Sequence, residues 1–247
     1  MERRVRRMNL KKLVTAAVCT MLMAAVAFTA GCGGEKKSDK KVLKVGMECA
    51  YAPYNWSQTK ADGGAVKIAG SNEYAYGYDV MMAKKLADSM GADLEIHKIE
   101  WDGLAPAVVS GKIDAAIAGM SITSKRKETV DFTKPYYYAT VVALVKKDSE
   151  QAKAQSVADL KGSVATSQLN TIWYDQIDQV PDVKKLPAID TVPGMIVALT
   201  SGKCNLIVTD IPTAKAAAFA NPELTVLNFE EGKGFKTSRE DVEIGIA

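Results

Sequence analysis

Apolar residues follow an alternating strand and helix pattern from residue 42 onward. Short apolar runs predict strands, and segments with helical spacing predict helices between them, at 42–47 (strand), 77–90 (helix), 94–99 (strand), 101–110 (helix) and 113–118 (strand). A second series follows at 141–146 (strand), 171–177 and 192–201 (helices), 204–209 (strand) and 212–220 (helix). The order of the first series implies parallel sheet with covering helices, and the two series together predict two α/β units.

A weak internal repeat links the two units. Ser110-Gly111-Lys112 and Ser201-Gly202-Lys203 each stand where a predicted helix turns into a strand, a place where glycine can adopt the left-handed conformation that ends a helix. Nine residues beyond each serine lie Gly119 and Asp210, at the carboxyl end of a strand. Ligands bind at that edge of open α/β sheets, so both residues would face a shared crevice. Chance recurrence of helix-Gly-strand turns is the alternative explanation.

The first residues are typical of an export signal. A basic run precedes an uncharged apolar stretch at 13–30, which ends in Thr29-Ala30-Gly31-Cys32. That ending resembles the lipobox at which a bacterial signal is cut before a lipidated cysteine. We therefore predict a lipoprotein signal peptide at 1–31, lipidation of Cys32, and a flexible polar tether at 32–41, which could also be a leader with no role.

Charge and cysteine content narrow the class of protein. The net charge of +3 comes from residues 1–31, and the remainder carries 26 Lys/Arg against 28 Asp/Glu. This balance disfavours a nucleic-acid partner. Outside the signal and the lipidation candidate only Cys49 and Cys204 remain, and their separation favours two buried free thiols over a disulfide. With one histidine, His97, the chain has little material for a hydrolytic triad or zinc site, so we predict no metal, no cofactor and no enzyme activity.

Two charged residues are candidates for binding a zwitterion. Arg126 follows a hydroxyl-rich turn that contains Ser121, where a guanidinium, hydroxyls and free amides could bind a carboxylate. Asp210, between apolar residues at a strand end, could bind an ammonium group. Each has an ordinary alternative: Arg126 as a charge in a solvated turn, and Asp210 as the N-cap of the following helix.

Aromatic residues are concentrated near the same sheet edge. Tyr51, Tyr54, Trp56 and Trp101 could enclose a ligand side chain, although core packing is the expected role of at least two of them. Glu48, at the end of the first strand, could face a polar or cationic group, or be an exposed strand-end acid.

Several motifs together resemble the polar amino acid-binding proteins of ABC transport, bacterial solute-binding protein family 3. The resemblance covers essentially everything after residue 41. It rests on Val45-Gly46-Met47-Glu48-x-x-Tyr51-Ala52-Pro53-Tyr54, Gly77-Tyr78-Asp79-Val80, Trp101-Asp102-Gly103-Leu104-x-Pro106, Ser121-Ile122-Thr123-x-x-Arg126 and Asp131-Phe132-Thr133-x-Pro135-Tyr136.

This resemblance implies a type II periplasmic-binding-protein fold, with two α/β lobes hinged around a ligand cleft. It implies that Tyr51 and Trp101 flank the ligand side chain, that Glu48 lies near its tip, and that the ligand α-carboxylate is bound by Gly119, Ser121 and Arg126. In the second lobe, Asp210 matches an ammonium-binding aspartate. Gln168-Leu169-Asn170-Thr171 resembles a Gln-Leu-Gly-Thr turn and makes Thr171 a ligand contact, with Asn170 in place of glycine.

The predicted organisation is lobe 1 at 42–139, lobe 2 at 140–235 and a crossover back to lobe 1 at 236–247. Family members continue past this point, so we expect the C-terminus to be truncated. The expected protein is a monomeric, lipid-anchored, extracytoplasmic binding protein that delivers a polar L-amino acid to ABC permease subunits, with arginine or lysine favoured and glutamine or histidine open. A dehydratase or a ligand-sensing module built on the same cleft is the alternative.

Overall fold

The computed structural model describes residues 40–247. Fifteen strands occur in this part of the chain: β1 (Val42–Met47), β2 (Ala50–Tyr51), β3 (Asn55–Gln58), β4 (Val66–Lys67), β5 (Tyr74–Tyr76), β6 (Asp93–Lys98), β7 (Ala115–Ala116), β8 (Met120–Ser121), β9 (Tyr137–Tyr138), β10 (Val141–Lys146), β11 (Val164–Thr166), β12 (Lys184–Lys185), β13 (Leu206–Asp210), β14 (Leu224–Leu227) and β15 (Glu243–Gly245). The helices among the same residues are α1 (Tyr78–Met90), α2 (Leu104–Val109), α3 (Ser124–Lys127), α4 (Ile172–Gln176), α5 (Val192–Thr200), α6 (Ile211–Ala220) and α7 (Arg239–Val242), with five short 3-10 turns.

The first lobe is built on a parallel sheet of order β6-β1-β7. Val45 at its centre is opposite Ile96 on one side and Ala115 on the other, and both Val45 and Ile96 are fully buried. The parallel arrangement predicted for this unit is confirmed. The predicted strand at 113–118 is shorter, because only Ala115 and Ala116 pair with β1.

Residues 50–76 form a small antiparallel sheet that the sequence pattern did not predict. Its order is β2-β3-β5-β4, and Trp56 of β3 is opposite Tyr76 of β5. The strands are two to four residues long, too short for an alternating pattern to identify them. This sheet contains Tyr51 and begins at Ala50, two residues after Glu48, so it helps to position both.

The second lobe contains a five-stranded sheet of order β12-β11-β13-β10-β14. Strand β10 is antiparallel to β13 and β14, whereas β11 is parallel to β12 and β13. The second α/β unit is therefore a mixed sheet. The predicted repeat holds locally, since Gly111 after α2 and Gly202 after α5 both have the positive φ expected of a helix-ending glycine.

The chain returns to the first lobe at its end. Strand β15 lies between β8 and β9, with Ile244 opposite both Ser121 and Tyr137, and the Ala247 amide donates to the Ala116 carbonyl. Two segments therefore join the lobes, one through β9 and one through α7 and β15. These observations confirm the predicted type II two-lobed fold.

Cys49 and Cys204 are buried free thiols, as predicted. Between residues 40 and 247, no helix combines the length and the apolar character needed to cross a bilayer. The predicted signal peptide, Cys32 and most of the tether lie outside the described residues.

Candidate ligand-binding site

The cleft is defined by side chains of one lobe that contact the other. Tyr51 donates its hydroxyl hydrogen to Asp210 Oδ2 over 2.5 Å, and the Gln168 side-chain amide donates to Glu48 Oε2 over 3.0 Å. Arg126 of the first lobe donates to the Asn170 carbonyl over 3.0 Å. The structure therefore brings residues from both ends of the chain to one place.

Asp210 ends β13 and begins α6. It is fully buried, and its Oδ1 accepts a hydrogen bond from the Thr213 amide at 3.0 Å, so it is the N-cap of α6. Burial raises the pKa of the Asp210 carboxyl, while hydrogen bonds from Tyr51 and Thr213 lower it. Asp210 therefore caps the helix, as the alternative explanation predicted. Its Oδ2 is directed at Tyr51 of the first lobe.

Glu48 is buried at the end of β1. Its Oε2 accepts from Gln168, whereas Oε1 has no hydrogen-bond partner among the described residues. Burial raises the pKa of Glu48 to about 7, an effect reduced by the Gln168 bond. The predicted alternative, an exposed strand-end acid, is wrong because the residues after β1 and the second lobe cover the side chain.

Arg126 lies in α3 and is partly buried. Its Nη1 donates to the Ser121 carbonyl over 2.9 Å, and its guanidinium lies 5.2 Å from the centre of the Trp101 ring. Burial lowers the pKa of Arg126 to about 10, opposed by the nearby Asp175 carboxylate. A solvated turn does not describe this environment, because the guanidinium is fixed by two carbonyls and an aromatic ring.

Gly119 and Thr171 each have a protein partner. The Gly119 amide donates to the Tyr136 hydroxyl over 3.1 Å, and the Thr171 hydroxyl donates to the Gln168 carbonyl over 2.8 Å. Ser121 is buried in β8, where its backbone pairs with Ile244. Gly119 and Ser121 therefore contact the segments that join the lobes, through Tyr136 and Ile244.

The aromatic residues divide between site and core. Tyr51 is stacked on Tyr54 with 4.8 Å between ring centres, and both pack against apolar residues of the second lobe. Trp56 instead forms an edge contact with Tyr76 in the small antiparallel sheet. Tyr54 and Trp56 are therefore packing residues, in agreement with the expectation for two of the four aromatics.

Two open cavities lie along the junction of the lobes. One of about 370 Å³ is lined by Trp101, Glu100 and Asp190, and one of about 720 Å³ by Arg126, Thr171 and Asp175. Leu169 lines both, so the Gln168–Thr171 turn separates them. No group of His, Cys, Asp or Glu side chains suited to a metal ion occurs in the part of the chain that the structure describes.

Sequence reasoning assigned no role to Asn55, Tyr136 or Gln168, which contact candidate site residues. It also assigned none to Asp79, which is hydrogen-bonded to Asn55 and Tyr136. Three of them stood in motifs that carried the family resemblance, so a signal was present: Asp79, Tyr136 and Gln168. The sequence did not show which residues they contact, because their partners lie far away in the chain.

Comparison with known proteins identifies the family. The family model for bacterial extracellular solute-binding proteins, family 3, matches residues 43–186. This chain belongs to that family. Members bind solutes outside the cytoplasm and are not enzymes, so the predicted family and the predicted lack of enzyme activity are confirmed, and the dehydratase alternative is removed.

Curated relatives and solved structures agree with the family. A probable histidine-binding protein of Campylobacter jejuni is 31% identical over 195 residues, which cover 78% of this chain and 70% of the relative. ABC transporter arginine-binding protein 1 of Escherichia coli is 29% identical over 218 residues, covering 88% and 78%. The structure of an ancestral arginine-binding protein bound to glutamine superposes with a TM-score of 0.69 at 30% identity, covering 84% of this chain and 83% of that one.

Proposed function

We propose that this solute-binding protein captures a free polar L-amino acid between its lobes and delivers it to the permease subunits of an ABC importer. The relatives named for histidine and arginine, together with the structural neighbour bound to glutamine, support the ligand class. In this proposal Asp210 binds the ligand ammonium, while Arg126, Ser121 and the backbone near Gly119 bind its carboxylate. Thr171 adds a contact from the second lobe.

The environment of Glu48 is the observation that supports the choice of ligand side chain. Glu48 is a buried carboxylate with one oxygen free of hydrogen bonds within the described residues, and a cationic ligand group would supply the missing donor. Tyr51 and Trp101 would flank the aliphatic part of that side chain. Arginine and lysine are therefore favoured, with glutamine and histidine as donors of the same kind.

Affinity in the micromolar range, about −8 kcal/mol, is within reach of such a site. Charge-assisted hydrogen bonds contribute roughly 1.5 to 3 kcal/mol each, and several of them exceed the cost of ordering the ligand. The protein would act as a monomer held at the outer face of the membrane by lipid on Cys32.

A ligand screen tests the proposal. The full-length protein, purified in detergent, is melted with each of the twenty amino acids while tryptophan fluorescence is recorded. Arginine, lysine, glutamine or histidine should raise the melting midpoint in proportion to the logarithm of ligand concentration. A cooperative melt that none of the twenty shifts would overturn the proposal. Arg126→Ala is the matched variant, and it should melt cooperatively without any shift.

Lipid attachment has its own test. In cells fed a labelled fatty acid, the protein should carry the label and sediment with membranes, and Cys32→Ala should lose the label. Label that persists in Cys32→Ala would exclude this cysteine as the attachment site.

A further inference from the structure

Asp79 is a buried carboxylate that is not among the proposed ligand contacts. It lies in the first turn of α1, is fully buried, and accepts hydrogen bonds from the Asn55 side-chain amide and the Tyr136 hydroxyl, both at 2.7 Å. Burial raises the pKa of Asp79 to about 6, while these two bonds lower it. At neutral pH the group is therefore mainly ionised and can only accept, so both neighbours must point a hydrogen toward it.

The first of these neighbours supports the segment between Glu48 and Tyr51. With its NH2 group directed at Asp79, Asn55 turns its side-chain oxygen toward the Cys49 amide, which donates to it over 2.7 Å. Cys49 has a φ of 56°, a left-handed conformation that is unfavourable for a non-glycine residue. Asn55 thus holds a strained residue that connects the two proposed ligand contacts.

The second neighbour supports Gly119. Because the Tyr136 hydroxyl gives its hydrogen to Asp79, its oxygen is free to accept from the Gly119 amide over 3.1 Å. Gly119 has a φ of 62°, and a Cβ at this position would lie 2.6 Å from Cε1 of Tyr51. The Gly119 backbone is therefore the surface against which the Tyr51 ring packs.

Tyr136 also belongs to the connection between the lobes. Its amide donates to the Ile244 carbonyl of β15 over 2.9 Å, and β9 begins at the next residue. The hydroxyl that holds Gly119 is thus attached to the segment that must bend if the lobes move apart.

We propose that Asp79 is a positioning residue for the ligand site, whose negative charge fixes the direction of two hydrogen-bond relays, through Asn55 to Cys49 and through Tyr136 to Gly119. The inference rests on the proposed function, because both relays end beside residues assigned there to the ligand. In Asp79→Asn, the new side-chain NH2 group would face one of the two donors, Asn55 or Tyr136. If it faces Asn55, that side chain must turn its oxygen away from the Cys49 amide. If it faces the Tyr136 hydroxyl, that hydroxyl must turn away from the Gly119 amide.

Calorimetric titration of the full-length protein in detergent tests this inference, with arginine, lysine, glutamine and histidine as probes. Asp79→Asn should weaken binding of the tightest probe by about tenfold or more, and Tyr136→Phe by about fivefold, with about one ligand bound per folded protein in each case. Tyr138→Phe is the matched control, since Tyr138 lies two residues further along the chain, in β9, and its side chain is exposed; its affinity should equal that of the wild type.

The double variant distinguishes positioning from general loss of stability. If Tyr136 acts through Asp79, Asp79→Asn combined with Tyr136→Phe should bind about as tightly as Asp79→Asn alone, whereas two independent defects would multiply. Wild-type affinity in both single variants, or multiplied losses in the double variant, would overturn the inference while the proposed function stands. If Asp79→Asn does not fold, the comparison of Tyr136→Phe with Tyr138→Phe decides. A wild-type protein that binds none of the four probes, and that none of the twenty amino acids stabilises in the melting screen, would overturn the proposed function, and the inference with it.

Discussion

The hydroxyl of Tyr51 lies 2.5 Å from Oδ2 of Asp210, although the two residues are 159 positions apart. Both are buried, and Asp210 has its second oxygen committed to the Thr213 amide. The bond therefore satisfies a buried charge and holds the two lobes together. In the proposed function the ligand ammonium would use the same Asp210 oxygen, so Tyr51 and the ligand would share one acceptor.

Tyr51→Phe should lower the free energy of unfolding without ligand by about 2 kcal/mol at pH 7, because a buried carboxylate oxygen loses its donor. Urea unfolding measures the effect. Tyr76→Phe, in which the altered ring makes an edge contact with Trp56, is the control and should leave the unfolding midpoint unchanged. Equal midpoints for Tyr51→Phe and wild type would show that the bond adds no stability.

Asp210 is a helix cap and, in the proposed function, also binds the ligand ammonium, and two substitutions can separate these roles. Asparagine also caps helices, so Asp210→Asn should keep α6 stable, whereas Asp210→Ala should cost about 1 kcal/mol. Both should weaken amino acid binding by about a hundredfold or more, since each removes the charge that pairs with the ligand ammonium. Calorimetry and urea unfolding of the same samples provide both readings. Tight binding by Asp210→Asn would exclude the ammonium role.

Glu48 should make stability depend on pH. Its pKa in the folded protein is about 7 against an ordinary 4.5, so the folded state retains a proton that the unfolded chain releases. The resulting stabilisation is complete below pH 4.5 and is lost as the pH rises through 7. Glu48→Gln should therefore be more stable than wild type at pH 8, by up to roughly 3 kcal/mol, and similar at pH 4.5. A constant difference in urea unfolding between the two pH values would contradict this.

The same carboxyl should make ligand affinity depend on pH and on ligand charge. A cationic side chain favours ionised Glu48, so arginine should bind about tenfold more tightly at pH 8 than at pH 5.5, with proton release near pH 6. Glutamine should show a weaker dependence. Calorimetry in two buffers of different ionisation enthalpy measures the protons released. An arginine affinity that varies with pH as strongly in Glu48→Gln as in wild type would assign the effect to another group.

Substitutions of Asn170, which stands where the resembled Gln-Leu-Gly-Thr turn has glycine, test whether this turn positions Arg126. The φ of Asn170 is 54°, its carbonyl accepts from Arg126, and its side chain donates to Asp102 over 2.9 Å. Asn170→Gly should retain amino acid affinity within about threefold, because the backbone conformation is preserved and the Asp102 bond is exposed. Asn170→Val should lose about tenfold, since a β-branched residue resists positive φ. Calorimetry of the pair decides, and equal affinities would mean that this carbonyl does not position Arg126.

The longer strands and helices could be predicted from the sequence. The strands at 42–47 and 141–146 and the helices beginning near residues 78 and 192 lie where apolar spacing predicted them, because these elements are long enough to show a period. The very short strands between Ala50 and Tyr76 carry no such period. They form by pairing with one another, as Ala50 does with Trp56 and Trp56 with Tyr76, and the apolar pattern does not encode which strands pair.

Sequence by itself determined the alternation of strands and helices, the two buried thiols, the family motifs and the candidate residues Glu48, Arg126 and Asp210. Only the tertiary structure decided that β10 is antiparallel to β13, that Glu48 is buried, and that Asp79 reaches Gly119 through Tyr136. The physical reason is range. Backbone propensity and apolar period act over a few residues, whereas burial, pKa and hydrogen-bond direction depend on partners that folding brings together from distant parts of the chain.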